Sequence, residues 1–296
     1  NGTCQVCGDK ITLTQSKISD WEYTVNTTEK TVLLKKYIGS AKAIKIPAQM
    51  VANVDGVTGT YAVKFAGEYD PRPQTGVFAS NVRCPIEAVS FDSAIKLENM
   101  QYMFSECTRL KAVLGLPASV KDMTGTFKGC SSLISVTALP AGLTALTNTF
   151  EGCSSMSYVP AIPATVKNMY ATFKNCTSLG KAPVLPATLT NMNWTFSGCT
   201  ALSQSPVIPA TVTEMTNTFE STSLLCVPED IPAGVKKLTM TFYNCQGLER
   251  VPKMPSTIET MEYTFKNCKN ISYAVPIPST VTRKIDVFAG CDKLVQ

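Results

Sequence analysis

The chain contains no histidine, and only 17% of its 296 residues are charged. Without imidazole there is no Ser-His-Asp or Cys-His nucleophile arrangement, no His-ligated zinc and no side chain that titrates near neutrality by default. Charge is balanced as well as sparse: 27 Lys and Arg stand against 22 Asp and Glu, with no basic tail or cluster. A phosphate-neutralising face or a basic membrane-surface helix needs such clustering, so neither nucleic acid nor a lipid surface is an expected partner. No apolar run reaches the roughly 18 residues of a membrane span. The N-terminus lacks the charged, apolar and small-residue succession of a signal peptide, as expected of a chain already trimmed. Phosphate-loop and zinc-protease motifs are missing too, and the acids Glu229, Asp230 and Glu249 do not pair as a glycosidase would require. These absences point away from catalysis, with no cofactor implied. What is present is a 44% hydrophobic chain long enough for a large core.

Its organisation is periodic. Phe recurs at 104, 127, 150, 173, 196, 219, 242, 265 and 288, a constant step of 23. Thr precedes it at 126, 149, 172, 195, 218, 241 and 264. Cys follows three residues later at 107, 130, 153, 176, 199, 245, 268 and 291. Thirteen residues after each Phe from 104 to 265 stands a proline, from Pro117 to Pro278. The apolar positions fall every third residue and change phase at that proline, which fits neither a 3.6-residue helix nor a period-2 strand. A solenoid coil accounts for the pattern, because a 23-residue unit has no partner for its apolar face until a neighbour stacks on it.

Within such a coil the stretch after Cys, for example Leu133 to Leu139, is expected to be a short strand. Proline then turns the chain away from the sheet, having no N–H to give to it. Gly or Asn two residues after Phe (Gly129, Gly152, Asn175, Gly198, Asn244, Asn267, Gly290) predicts a corner with positive φ. The expected fold class is therefore mainly β, a solenoid of stacked coils.

The units "SSLISVTALPAGLTALTNTFEGC" and "TSLGKAPVLPATLTNMNWTFSGC" resemble the BspA-like (TpLRR-type) leucine-rich repeat, with Met for the usual Ile and Thr for the usual Ala before Phe. The likeness spans about 190 residues. It implies a right-handed, curved leucine-rich-repeat solenoid of 23-residue coils with a parallel sheet, in secreted or cell-surface proteins that serve adhesion.

Ahead of the array, "WEYTVNTTEKTVLLKKYIGSAKAIKIP" alternates Trp21, Tyr23 and Val25, turns through Asn26 to Lys30 and resumes with Val32 and Leu34, the pattern of a hairpin. Three regions are expected: 1–19, a terminal segment with Cys4-x-x-Cys7; 20–80, a strand-rich cap with a degenerate first coil through Ile44 to Pro47; and 81–296, an array of about nine coils. A cap is needed because an open stack exposes its apolar cross-section and strand edges.

The in-phase cysteines read most simply as a buried thiol column, each packing as a small hydrophobe with a weak hydrogen bond to backbone. Inter-coil disulfides and metal ligation are alternatives with poorer geometry. Two departures stand out. The column Cys is missing after Ser221, and Cys226 falls out of phase where Tyr158 stands in its own coil, a position expected to face outward. Cys4 and Cys7 are open to a local disulfide, half of a zinc site or a redox pair.

Positions that vary from coil to coil are free to meet a ligand. Two before Phe stand Tyr102, Trp194 and Tyr263, and three before stand Tyr170 and Asn193. Tyr170 and Trp194, on adjacent coils, are expected within stacking distance, and Tyr158 adds an outward strand residue. Rigid amphipathic rings flanked by Asn and Thr suit a protein or glycan ligand, though such rings also serve merely to cover a corner. The functional expectation is a non-catalytic extracellular or cell-surface protein acting in adhesion or recognition. A structural spacer within a larger surface assembly is the alternative. Asn26, Asn175, Asn193 and Asn270 head Asn-x-Ser/Thr sequons that matter only in a glycosylating host.

Overall fold

The computed structural model describes residues 2–3, 10–66, 78, 84–226, 228 and 230–294. They form strands and turns with one short 3-10 turn, Ile18–Asp20, and no α-helix among the described residues. The strands in chain order are β1 (Gly2–Thr3), β2 (Lys10–Ile11), β3 (Thr14–Gln15), β4 (Trp21–Asn26), β5 (Thr31–Tyr37), β6 (Ala43–Ile46), β7 (Gln49–Val54), β8 (Val57–Phe65), β9 (Ala88–Phe91), β10 (Ala112–Val113), β11 (Ser135–Val136), β12 (Thr260–Glu262) and β13 (Arg283–Ile285).

The hairpin expected from Trp21 onward is β4 paired with β5, running from Trp21↔Tyr37 to Asn26↔Thr31. Its turn is closed by the Glu29 N–H donating to Asn26 Oδ1 at 2.9 Å. A second hairpin, β7 with β8, turns at Asp55-Gly56, both with positive φ as a two-residue turn of this hand requires. The signal was present in "VANVDGVTGT", where Asp-Gly sits between alternating apolar residues, but it went unread. The two hairpins join through parallel β5 and β8 into one four-stranded sheet. A second, all-parallel sheet runs β11-β10-β9-β6-β3. The chain shuttles between them, so each early unit contributes one strand to the parallel sheet and then one hairpin to the other. Trp21, Tyr37 and Phe78 pack edge-on or tilted at 5.0 to 5.9 Å, and Phe78 stacks on Phe104 at 4.6 Å. That contact makes the core of the hairpin region continuous with the array.

From Phe104 onward the hairpins are replaced by successive tight turns. The N–H groups of Val120, Leu143, Val166 and their counterparts donate to the carbonyl of the repeat proline three residues back. Adjacent Phe rings stack at 5.2 to 5.8 Å, within 17° of parallel, from Phe104 to Phe288. Around each ring the backbone N–H groups at two before Phe, at Phe and at two after donate to the next repeat, as in Tyr102 to Thr124, Phe104 to Thr126 and Glu106 to Lys128. This is a ladder without strands. It needs left-handed backbone at two corners, where the sequence reading expected one. Positive φ occurs two after Phe (Gly129, Asn175, Asn244) as expected, and also two before it (Tyr102, Asn148, Ala171, Trp194, Met240, Tyr263).

Thr and Cys complete the interior. The buried hydroxyls of Thr126, Thr149, Thr172, Thr195, Thr218 and Thr241 donate to carbonyls 26 residues earlier at 2.7 to 3.0 Å. The thiols of Cys130, Cys153, Cys176, Cys199, Cys245, Cys268 and Cys291 donate to the Phe carbonyl of the preceding repeat at 2.9 to 3.1 Å. The column is thus a row of free, hydrogen-bonded thiols. Where it skips, Thr222 takes the cysteine's place, buried, with its hydroxyl 3.3 Å from Cys245 Sγ and donating to Phe219 O at 2.8 Å.

The strand expected over Leu133 to Leu139 is shorter than the pattern indicated, only Ser135–Val136. Beyond it the parallel pairing on this side shrinks to isolated bridges such as Gln204↔Cys226 and Arg250↔Tyr273, β12 and β13 pairing on the side of the Phe turns. The cause is a second proline. Pro160, Pro183, Pro206 and Pro252 stand three residues before the repeat proline, Pro228 four before it and Pro276 two before it, each removing an N–H from the ladder. The repeats of β10 and β11 have no such proline, and they keep their strands.

Candidate binding surfaces

The division between fixed and variable positions now has a physical basis. Phe, Thr and Cys in each mid-array repeat are buried and internally satisfied, so recognition falls to what projects outward. Two surfaces carry the projecting residues, one along the Phe turns and one along the strand side.

On the turn side, Tyr170 is 38% exposed and Trp194 half-buried in the next repeat. No ring contact joins them among the described residues. Instead Lys174 Nζ lies 4.3 Å from the Trp194 ring centroid, a cation–π contact that covers the indole face. Asn193 is engaged on several sides: its N–H donates to Asn191 Oδ1 at 2.9 Å, its Oδ1 accepts the Thr216 N–H at 2.7 Å, and its Nδ2 reaches Glu214 at 3.4 Å. Asn193, Trp194 and Lys174 therefore form one neighbourhood, with Tyr170 on the repeat before Trp194. Tyr102 and Tyr263 occupy Trp194's column four repeats before and three after. At about 4.8 Å per parallel neighbour, small ligands cannot bridge them. Tyr102 lies against Gly125, where a Cβ would meet its ring at 2.2 Å, and Tyr263 faces Lys266 Nζ at 5.1 Å. The column varies because its residues share a backbone requirement, φ near +50 to +60°, rather than a side-chain role. Ala171 and Asn217 in the same column are buried.

Tyr158, 53% exposed, belongs to the strand side, away from that neighbourhood. Its column continues through Lys181, Gln204, Cys226, Arg250 and Tyr273, and the bridge to Gln204 places Cys226 in it, exposed rather than covered by a neighbouring bulge. Beside it Val184 and Val207 are 90% and 91% exposed, a feature the periodic reading passed over by treating every apolar position as core. Cys4, Cys7 and Glu229 lie outside the described residues. Among those described, no group of three or more Cys, Asp or Glu is placed to hold a metal. Four consecutive column thiols are poor nucleophiles: burial pushes Cys130, Cys153 and Cys176 well up and Cys199 up to about 12.

A stacked, strand-poor array with this signature defines a leucine-rich-repeat protein. More narrowly, the profile of the "BspA type Leucine rich repeat region" matches in six copies, over residues 78–155, 100–225 and 170–295, and the chain belongs to that family. Two solved structures share the fold. One is a leucine-rich repeat protein of T. pallidum, with 20% identity over 79% of this chain and 91% of that one and a TM-score of 0.50. The other is a leucine rich cell surface protein from Faecalibacterium prausnitzii A2-165, with 21% identity over 97% of this chain and 88% of that one and a TM-score of 0.52. A search of curated proteins finds no significant match. No helix among the described residues is long and apolar enough to cross a membrane.

Proposed function

We propose that this chain is a non-catalytic recognition module of an extracellular or surface-displayed protein, wound as right-handed coils of 23 residues, that serves adhesion by binding a protein or glycan. The observation that carries this reading is the separation of roles within each repeat: the recurring Thr and Cys of the mid-array are buried and bonded inward, while variable residues such as Tyr158 and Tyr170 project into solvent. Reactive chemistry has no comparable support, since the in-phase thiols are donors to backbone carbonyls. The surface setting is in keeping with the description of the F. prausnitzii relative as a cell surface protein.

The test is a glycan and host-protein array probed with the wild-type chain and with a Tyr170→Ala, Trp194→Ala double variant. Binding abolished by the double variant supports recognition on the turn side. Binding that is unchanged removes that neighbourhood from the reading. An array silent for both proteins favours the spacer alternative.

A further inference from the structure

The strand side carries an apolar slot that the turn-side residues do not reach. Val184 and Val207 occupy equivalent positions of neighbouring repeats and are 90% and 91% exposed, far beyond what packing requires. With Lys181, Pro183, Gln204 and Pro206 they line an open cleft of about 390 Å³. That volume lies near the lower end of the range of about 300 to 1,000 Å³ typical of ligand pockets.

Three features select the occupant. The slot walls are aliphatic and prolyl with no aromatic platform, which disfavours a sugar and favours an apolar side chain. Lys181 is the single ionisable residue lining the slot and has no ion-pair partner among the described residues, so the complementary ligand carries a carboxylate. Residues 181–185 make no backbone hydrogen bond among the described residues, because Pro183 interrupts the inter-repeat ladder. Those main-chain groups are available to another extended main chain.

We infer that this slot docks an extended peptide segment of a protein partner, one large apolar side chain seated between Val184 and Val207 and a neighbouring carboxylate paired with Lys181. The inference rests on the recognition reading above and moves its protein-binding surface from the aromatic flank to the strand side.

The experiment selects dodecapeptides from a random display library on the intact chain and measures the enriched peptides by calorimetry. Peptides pairing Leu, Met or Phe with Asp or Glu one or two positions away should dominate. Val184→Asp with Val207→Asp should weaken them at least about tenfold, which for solvent-facing positions leaves the melting curve unchanged. Lys181→Glu should do the same, and changing the peptide's acid to Lys should restore binding to that variant alone. Failure to enrich such peptides, or binding indifferent to all three substitutions, overturns the inference. So does sedimentation with phosphatidylcholine/phosphatidylglycerol vesicles, or self-association in ultracentrifugation, that the Val184→Asp, Val207→Asp variant abolishes. Ligand capture that depends on Tyr170 and Trp194 but not on the valines overturns this slot while leaving the recognition reading standing.

Discussion

The hairpin region and the repeat array enclose one continuous core by different means. Before Phe78 the side opposite the parallel sheet is closed by β4-β5 and β7-β8, whose N–H groups are spent on ordinary strand pairing. After Phe104 it is closed by turns, and the bonds once made within hairpins run from repeat to repeat, with Thr and Cys reaching back 26 residues to carbonyls the turns leave free. The contrast teaches that polar side chains can replace strands in the interior of a stack. Hairpins satisfy themselves, whereas turns without strands lean on a buried hydroxyl and, except where Thr222 replaces it, a thiol in each mid-array repeat.

The hardest blow to the array is loss of a ring. Phe173→Ala removes the stacking partner of both Phe150 and Phe196 and should cost about 3 to 5 kcal/mol, read as the urea midpoint. Since each repeat couples to its neighbours, the transition should also broaden. An unbroadened transition shifted by less than about 1 kcal/mol would show that the column does not hold the stack together.

The hydroxyls sharpen the comparison further. Thr172→Val leaves the Leu146 carbonyl without its 2.7 Å donor and should cost about 1 to 3 kcal/mol. Thr24→Val, on the exposed face of β4, should stay within about 0.5 kcal/mol. Equal losses at the two sites would erase the distinction between the regions.

Alkali should act on the array first, and on the hairpin region only above about pH 10, where burial holds the Tyr37 phenol up to about 12. A thiol raised by burial stays protonated in the folded chain while the unfolded chain releases its proton near the ordinary value of about 8.5, so stability is intact below that pH and falls above it. Each such thiol steepens the fall by about 1.4 kcal/mol per pH unit until its folded value is passed, about 12 for Cys199. Denaturant melts from pH 8 to 11 should lose one proton's slope in Cys199→Val, and a pH-independent stability would refute the column's role. In a Cys4→Ser, Cys7→Ser background, native thiol titration at pH 8 should report Cys226 first, with the mid-array column silent until unfolding.

The smallest effect is expected at a corner. Trp194→Gly relieves about 1 to 2 kcal/mol of left-handed backbone strain, but it forfeits the Lys174 contact and adds glycine's chain entropy, so stability should stay within about 0.5 kcal/mol. A clear loss on denaturant melting would assign the indole a packing role.

The array was legible because burial in a stack repeats: Phe, Thr and Cys at one phase can mean only one interior, and the Gly and Asn after Phe marked their corner. The corner before Phe was not legible, because Tyr102, Trp194 and Met240 reveal nothing of a positive φ through their side chains. Nor did periodicity flag Val184 and Val207, which sit in an apolar phase yet face water once Pro183 and Pro206 have bent the chain. The stacking expected of Tyr170 and Trp194 does not occur, and Lys174, which covers the indole face instead, carried no signal in the periodic pattern.

The sameness of the interface between repeats has a consequence for how such a protein changes over generations. Because each unit offers its successor the same ring face, the same carbonyls and the same donors, a whole unit can be duplicated or excised without creating a foreign junction. Length is then nearly neutral to vary, and a slot formed by two neighbouring units can be copied, moved or erased as a single genetic event.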